Sequence, residues 1–244
     1  MKTCIVIPAR LQSTRLPKKL LLEETGKPLI QHTVEAARRS KLADAVVVAT
    51  DAQVIFDAVK SFGGQVIMTD ETHPSGTDRV AEYAITHAEF ELLINVQGDE
   101  PEIAPEIIDQ LILRLRNDSA ISMVTAACPL ADPALARDPA CVKVVVDSSN
   151  CAIYFSRNNI PFCRDEPDAV TSSHFQHLGI YGYRREFLLR LASMPSGKLE
   201  SIEKLEQLRA IEAGYRIGVE FTSHAAKGID TAADYAAFVR RQKT

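Results

Sequence analysis

A loop near the start of the chain concentrates positive charge directly after an apolar run. The run Cys4–Ile7 is typical of a buried strand, and the loop that follows it carries Arg10, Arg15, Lys18 and Lys19. Ligands of open α/β sheets bind at loops that follow the carboxyl ends of strands. Four cations in such a loop favour a small polyanion, and a nucleoside triphosphate has the required charge. We therefore predict a triphosphate site here, and a solvated basic turn is the alternative.

A second segment places acidic side chains after another apolar run. Leu92–Val96 leads into Gly98, Asp99 and Glu100. A carboxylate at the end of a central parallel strand is well placed to hold Mg²⁺, which takes one or two carboxylates together with substrate phosphates. The opposite charge in the first loop favours this interpretation over a simple polar turn. Asp230, in a turn before the last predicted helix, is the candidate second ligand, and an N-cap of that helix is the alternative.

The segment Ser75–Arg79 stands just before a helical pattern. Ser75 and Asp78 have the spacing of a helix cap, and the first turn of a helix exposes unpaired backbone N–H groups. Gly76 would let a ligand approach the backbone, and Arg79 adds a positive charge. Taken alone, the segment is better explained as an ordinary helix cap.

Polar residues in the second half of the chain are weaker candidates. A helix is predicted over Ile202–Ala213, with Ile202 on its apolar face. Its polar residues would point away from that face: Glu203, Glu206 and Gln207. A solvated helix face is the commoner meaning of such a pattern, and His177 has the alternative of a structural histidine.

Composition and motifs exclude several classes of protein. The chain has 244 residues, 46% of them hydrophobic and 25% charged, with a formal net charge of −4, which argues against a nucleic acid partner bound through overall positive charge. The P-loop and Rossmann glycine patterns are absent. Five cysteines without zinc spacing indicate reduced thiols. With no signal peptide and no membrane-length apolar run, we expect a cytoplasmic protein without a membrane partner.

Strand and helix patterns alternate through the first half of the chain, which predicts βαβ units and a mostly parallel sheet. After about Pro129 the pattern changes, and an antiparallel addition is expected. We predict a single α/β domain over 1–244 with an antiparallel insertion at about 140–185. The predicted strands are Cys4–Ile7, Ala45–Ala49, Gln65–Met68, Leu92–Val96, Val142–Val146, Ala152–Phe155 and Gly179–Tyr183. The predicted helices are Ile30–Arg39, Gln53–Phe62, Arg79–His87, Arg185–Ala192, Ile202–Ala213 and Ala232–Arg241.

Eight segments, in this order along nearly the whole chain, resemble the 3-deoxy-manno-octulosonate cytidylyltransferase family. They are Ile7–Pro17, Ser75–Arg79, Asn95–Pro101, Val142–Val145, Tyr154–Arg157, His177–Tyr183, Leu205–Arg209 and Gly228–Thr231. The resemblance implies a Rossmann-like nucleotide-diphospho-sugar transferase fold with an antiparallel dimerisation subdomain. One departure is visible: the family usually reads Leu-Pro-Gly-Lys-Pro-Leu in the first loop, and this chain has Lys18 where that glycine stands.

The resemblance also implies a reaction, in which the anomeric hydroxyl of the sugar acid Kdo attacks the α-phosphorus of CTP in line and pyrophosphate leaves. Lipopolysaccharide assembly would use the product, and the enzyme would be a homodimer. The implied catalytic residues are Arg10, Lys19, Asp99 and Asp230, of which Asp99 and Asp230 would hold Mg²⁺. The implied nucleotide-binding residues are Ala9, Arg10, Arg15, Lys19, Ser75, Gly76, Thr77 and Arg79. The implied sugar-binding residues are Gln97, Arg157, His177, Tyr181, Glu206 and Gln207.

Four alternatives remain at this point. An enzyme that carries out the same reaction on 8-amino-Kdo would differ only in its sugar pocket. A sialic acid enzyme is disfavoured because its first loop is usually glycine-rich before the lysine, unlike Leu11–Thr14. A guanylyl- or uridylyltransferase would differ in the nucleotide consumed. A CTP-binding relative without turnover is disfavoured because Lys19, Asp99 and Asp230 are all present.

Overall fold

The computed structural model describes residues 1–13, 15–130, 132–166, 169–223 and 228–243. Strands and helices alternate along most of the chain. The strands are β1 (Thr3–Ala9), β2 (Ala45–Thr50), β3 (Gln65–Met68), β4 (Leu92–Asn95), β5 (Met123–Pro129), β6 (Lys143–Val146), β7 (Ala152–Ser156), β8 (Phe175–Arg184) and β9 (Ile217–Phe221). The helices are α1 (Leu29–Ala37), α2 (Gln53–Ser61), α3 (Gly76–Thr86), α4 (Pro105–Asn117), α5 (Pro133–Arg137), α6 (Arg185–Ser193), α7 (Lys198–Glu203), α8 (Gln207–Glu212) and α9 (Ala232–Gln242). No helix in these ranges is long and apolar enough to cross a membrane.

The chain divides into two compact units, and the first comprises 1–112 and 226–244. Its strands pair in the order β3-β2-β1-β4, and every pair is parallel. Strand β1 is buried along its whole length because it has a neighbour on each side and helices against the sheet. The predicted βαβ alternation and parallel pairing are confirmed. As a result, the loops after β1 and β4 leave the sheet at the same edge.

The second unit comprises 113–225 and is built on a mixed sheet. Strand β5 pairs antiparallel with β8 and parallel with β9, while β6 pairs antiparallel with both β7 and β8. The antiparallel strands expected at about 140–185 are therefore present. That they form an insertion within a single domain stays a prediction.

The single helix predicted over Ile202–Ala213 is wrong. The structure has two short helices, α7 and α8, because Lys204 adopts a left-handed conformation with φ of 54° and ends α7. Leu205 and Leu208, which follow the break, are buried, whereas Ile202 lies before it in α7. Ile202 is consequently 77% exposed, while Gln207 is 3% exposed.

Strand β5 lies at the centre of the second unit's pairing, although the hydrophobic pattern does not predict it. Its residues are almost all buried, but unlike Cys4–Ile7 the segment is not a continuous run of strongly strand-forming residues. Two of them, Ala126 and Ala127, have low strand propensity. Position between two partner strands, rather than local preference, makes this segment a strand.

Candidate active site

The first unit brings together the lysine and the two aspartates predicted from separate segments. The Lys19 ammonium donates to Asp99 Oδ2 at 2.5 Å, to Asp230 Oδ1 at 3.1 Å and to the carbonyl of Ile229 at 2.9 Å. Arg15 adds an ion pair to Asp230 at 2.9 Å. The loop after β1 and the loop after β4 therefore meet where opposite charges are expected to converge. The lysine side chain is 13% exposed, and those of Asp99 and Asp230 are 28% and 44% exposed.

Asp230 does not cap helix α9, so the alternative role considered for it is wrong. Thr231 is the N-cap residue, and its hydroxyl accepts a hydrogen bond from the Asp234 backbone at 3.2 Å. Asp234 completes a capping box by accepting from the Thr231 backbone at 3.0 Å. Because the helix end is satisfied in this way, the Asp230 carboxylate is left to meet Lys19 and Arg15.

Backbone contacts hold Asp99 in place. A Cβ at Gly98 would lie 3.1 Å from the carbonyl of Pro8, so the glycine allows the loop after β4 to pack against β1. The Thr33 hydroxyl donates to the Gly98 carbonyl at 2.8 Å, and the Ile229 backbone donates to the Asp99 carbonyl at 2.9 Å. The next carboxyl group, Glu100, has a pKa raised to about 8, chiefly by burial and further by the charge of Asp99.

Lys18 occupies a strained position directly before the site lysine. Its φ of 53° and ψ of 28° lie in the left-handed region, and the residue precedes a single 3-10 turn over Lys19–Leu21. Glycine adopts this conformation freely, whereas an L-residue with a Cβ does so at a cost. The position is the one where the resembling family usually has glycine, so backbone geometry accounts for that preference.

The cations of the first loop differ in their surroundings. Arg10, directly after β1, is exposed and forms no hydrogen bond or ion pair with any residue that the structure describes. Ala9, the last residue of β1, is buried. Arg10 is thus a charged side chain at the carboxyl end of the sheet that is available to an external anion.

Ser75–Arg79 forms the helix cap that its sequence predicts. The Ser75 hydroxyl accepts from the Asp78 backbone at 3.3 Å and donates to Asp78 Oδ2 at 2.7 Å, at the start of α3. A Cβ at Gly76 would meet the ring of Pro8 at 3.0 Å, so the helix end packs closely on β1. Thr77 follows in the first turn. The nucleotide-binding roles proposed for these residues stay predictions.

Arg79 points into the protein. It is 4% exposed; its guanidinium donates to Thr69 Oγ1 at 2.7 Å, to the Asp70 carbonyl at 3.1 Å and to the Asp51 carboxylate. These partners follow the ends of β2 and β3, so Arg79 ties α3 to both strands. The contacts describe a positioning residue for the loop before α3, which a charge count of the sequence does not distinguish from a phosphate ligand.

In the second unit, Arg157 directly follows β7 and is half-buried. Its Nε donates to the Glu203 carbonyl at 2.7 Å, and its Nη1 donates to the Pro139 carbonyl at 2.9 Å. No carboxylate among the described residues forms an ion pair with this guanidinium. The positive charge is therefore held by neutral acceptors.

His177 and Tyr181 both belong to β8, with ring centroids 5.5 Å apart. Burial lowers the pKa of His177 to about 3, so the ring is neutral at physiological pH. The His177 Nε2 lies 2.9 Å from the Thr125 hydroxyl, which also donates to the Ile180 carbonyl at 2.8 Å. Since the hydroxyl proton is used by that carbonyl, the arrangement favours Nε2 as the donor to the Thr125 oxygen.

The remaining sugar-binding candidates differ in exposure. Glu206 is exposed, whereas Gln207 is buried, and the Gln207 amide nitrogen has no hydrogen-bond partner within the described ranges. In the first unit, Gln97 donates to Asn95 Oδ1 at 3.2 Å. A buried amide without a partner needs a water or a ligand to satisfy it.

The donor set of Asp99 and Asp230 fits a divalent cation such as Mg²⁺. Both carboxylates approach one ammonium, so they face a common point, and carboxylate oxygens are the ligands that Mg²⁺ prefers. The described residues contain no cluster of three or more His, Cys, Asp or Glu side chains that could hold a metal by itself. Two carboxylates completed by substrate phosphates is a usual arrangement for Mg²⁺.

Two residues of the second unit make contacts that their sequence pattern does not predict. Glu203 reads as a solvated helix residue, but its carboxylate accepts from the Ser156 hydroxyl at 2.7 Å and from the Arg157 backbone at 3.0 Å. Lys143 is fully buried. The available signal was a lysine inside a strand of valines, which is unusual for a central strand.

Comparisons with known proteins agree on one family. The family model described as Cytidylyltransferase matches residues 4–217. The chain is 50% identical to the 3-deoxy-manno-octulosonate cytidylyltransferase of Rhodopirellula baltica, over 99% of this chain and 98% of that protein. It is 44% identical to the protein of the same name from Geobacter sulfurreducens, over 96% of each.

Solved structures give the same result. CMP:2-keto-3-deoxy-manno-octonic acid synthetase, solved in complex with CTP, matches with a TM-score of 0.93 and 40% identity, covering 100% of this chain and 99% of that one. A 4-diphosphocytidyl-2C-methyl-D-erythritol synthase from Anaerococcus prevotii matches with a TM-score of 0.66 at 13% identity, covering 100% and 99%. The second match shows the fold alone.

Proposed function

The chain belongs to the 3-deoxy-manno-octulosonate cytidylyltransferase family, and from this we propose that it couples CTP and Kdo to give CMP-Kdo and pyrophosphate. The enzyme is a nucleotidyltransferase. The observation that carries the proposal is the full-length similarity to a synthetase solved with CTP, together with the Lys19–Asp99–Asp230 cluster. Use of CMP-Kdo in lipopolysaccharide assembly follows from the family name.

We propose that Arg10, Arg15 and Lys19 hold the triphosphate. The support is their position at the carboxyl edge of the parallel sheet and, for Arg10, a guanidinium without an ion-pair partner in the described chain. As the sugar hydroxyl attacks, it loses its proton, an oxygen–phosphorus bond to Kdo forms and the bond to pyrophosphate breaks, so negative charge grows on the leaving group. Fixed cations lower the barrier by stabilising that charge. Ser75, Gly76 and Thr77 would line the cytidine pocket, with Arg79 holding their loop.

We propose Asp99 and Asp230 as the residues that hold Mg²⁺, because both carboxylates converge on one point. When bound, Mg²⁺ would neutralise charge on the phosphates. Until then the Lys19 ammonium compensates both carboxylates. No residue is assigned as general base.

For the sugar, we propose that Arg157 receives the carboxylate of Kdo and that Gln97, His177, Tyr181, Glu206 and Gln207 contact its hydroxyls. An arginine whose guanidinium has no carboxylate partner suits a carboxylate ligand. The neutral ring of His177 suits a hydroxyl rather than a second anion. The choice between Kdo and 8-amino-Kdo depends on this group of residues.

We further propose a homodimer in the cytoplasm. The support for a second copy is an exposed apolar surface on the second unit: β7 pairs with β6 alone among the described strands, Ile153 is 57% exposed and Phe162 is 69% exposed. The support for the cytoplasm is five free thiols, four of them buried. Light scattering on the purified protein should give twice the mass of the chain, and a monomer would contradict the dimer.

The proposal is tested by pyrophosphate release with CTP and Mg²⁺ against Kdo, 8-amino-Kdo and sialic acid in parallel, with UTP replacing CTP as the nucleotide control. Release with Kdo and CTP is the expected result. Preference for 8-amino-Kdo would change the assigned substrate and leave the proposed reaction unchanged. Tight CTP binding without release from any sugar would favour a non-catalytic relative.

A further inference from the structure

The second unit contains a fully buried lysine whose charge is unusual for its place in the fold. Lys143 lies in β6, the strand between β7 and β8, and is 0% exposed. Its ammonium donates to the carbonyls of Asp138 at 3.0 Å, Cys141 at 2.6 Å and Arg157 at 2.6 Å. All three of its N–H donors are therefore used, and every acceptor is a backbone carbonyl.

This arrangement has a cost that packing does not explain. Burial lowers the pKa of Lys143, and the charges of Asp138 and Glu203 offset this only in part, since neither carboxylate lies within ion-pair distance of the ammonium. Burying a charge against neutral dipoles is unfavourable relative to an apolar side chain. A leucine or valine would fill the same strand position without that cost. We therefore look for the role of the ammonium in the backbone groups that it orients.

The peptide groups on both sides of Arg157 are held by hydrogen bonds to charged side chains. The Arg157 carbonyl accepts from Lys143 at 2.6 Å, and the Arg157 N–H donates to Glu203 Oε2 at 3.0 Å. The other oxygen of Glu203 accepts from the Ser156 hydroxyl at 2.7 Å, which fixes the carboxylate. We refer to Lys143 and Glu203 together as the Arg157 clamp.

The same clamp also sets the Arg157 side chain. Its Nε donates to the Glu203 carbonyl at 2.7 Å, and its Nη1 donates to the Pro139 carbonyl at 2.9 Å. Pro139 belongs to the turn 138–141, two of whose other carbonyls are held by Lys143. Removing the ammonium would thus release the main-chain carbonyl of Arg157 and the turn that holds its Nη1, while the Glu203 and Lys204 carbonyls still accept from Nε and Nη2 at 2.7 and 3.3 Å.

We propose that Lys143 and Glu203 are positioning residues that fix the Arg157 guanidinium in the orientation that receives the carboxylate of the sugar acid. The inference rests on the proposed function, which gives Arg157 that role. A guanidinium already ordered before binding loses less side-chain entropy when the ligand arrives. A displacement of about 1 Å at such a group is enough to lower kcat/KM for the sugar acid roughly 100-fold, part of it as a higher KM.

The test compares Lys143→Met and Glu203→Gln, each alone and combined with Arg157→Met, in the full-length protein. Methionine keeps the length of the lysine stem and removes its donors, and glutamine keeps only one of the two acceptor oxygens. Lys198→Met and Glu186→Gln, at exposed positions of the same unit, are the matched controls. KM for Kdo, KM for CTP and kcat are measured, with circular dichroism to confirm folding.

For each clamp variant, KM for Kdo should rise about tenfold or more while KM for CTP stays within about twofold. In the Arg157→Met background neither clamp substitution should raise KM for Kdo further, because the guanidinium that they position is gone. If Lys143→Met does not fold, Glu203→Gln gives the result alone. An equal rise in both KM values, or the same effect with and without Arg157, overturns the inference. An unsubstituted protein that does not turn over Kdo overturns the proposed function instead, and with it the ligand named here.

Discussion

Arg79 offers the sharpest test of how the charges of this fold are used, because sequence and structure give it different roles. The perturbation is Arg79→Met, which keeps the aliphatic stem and removes the guanidinium. The Arg79 side chain is 5% exposed and that of its partner Asp51 is 19% exposed. The substitution leaves the Asp51 carboxylate, the Thr69 hydroxyl and the Asp70 carbonyl without the donor they share.

The expected loss follows from these contacts. Removing one partner of a buried ion pair costs about 3–5 kcal/mol, and the partial exposure of Asp51 places this pair near the lower end, at about 3 kcal/mol. Total stabilities of about 5–15 kcal/mol mean that the variant should still fold. The coupling free energy between Arg79 and Asp51 should be about 2 kcal/mol.

The coupling is measured by a double-mutant cycle, in which urea unfolding is followed for the wild type, Arg79→Met, Asp51→Ala and the double variant. The control is Arg39→Met, at an exposed position, whose unfolding free energy is expected within about 0.5 kcal/mol of the wild type. KM for CTP is measured on the same proteins. If Arg79→Met changed the unfolding free energy no more than Arg39→Met does, while raising KM for CTP tenfold or more, Arg79 would be a direct nucleotide ligand. That result would refute the positioning role.

Three further predictions concern the site and its support. Asp99→Asn should lower kcat roughly 100-fold or more while the Kd for CTP, measured by calorimetry, changes far less; normal turnover would remove Asp99 from the proposed metal ligands. Lys18→Gly should stabilise the protein by up to about 1 kcal/mol in urea unfolding, because it relieves a φ of 53°, whereas Lys18→Ala keeps the Cβ and should not. The folded pKa of His177, about 3, lies below its unfolded value near 6.5, so protons favour the unfolded chain between these values. Relative to His177→Gln, the free energy of unfolding of the wild type should fall by about 2 kcal/mol between pH 7 and pH 5. Comparing the two proteins cancels the contribution of other groups such as Glu100, whose raised pKa acts in the opposite direction. If the unfolding free energies of the two proteins changed equally with pH, the burial of a neutral His177 ring would be contradicted.

Much of the first unit could be predicted from the sequence because its information is local. Apolar runs, amphipathic helices and their alternation specify parallel strands, and parallel strands place the loop with Lys19 and the loop with Asp99 at one edge. The cap at Ser75 is likewise encoded within a few residues. Similarity to a known family supplied the reaction and the expected roles of the polar residues in the second unit.

The tertiary structure decided which charges meet. Lys19 contacts Asp99 and Asp230, which lie 80 and 211 residues further along the chain, and no local pattern encodes such pairs. Arg10 and Arg79 are equal as sequence features, but one points outward and the other is buried against Asp51. The break at Lys204 leaves Ile202 exposed and Gln207 buried, contrary to the predicted single helix. Side-chain direction depends on which distant backbone packs nearby, and only the folded chain fixes that.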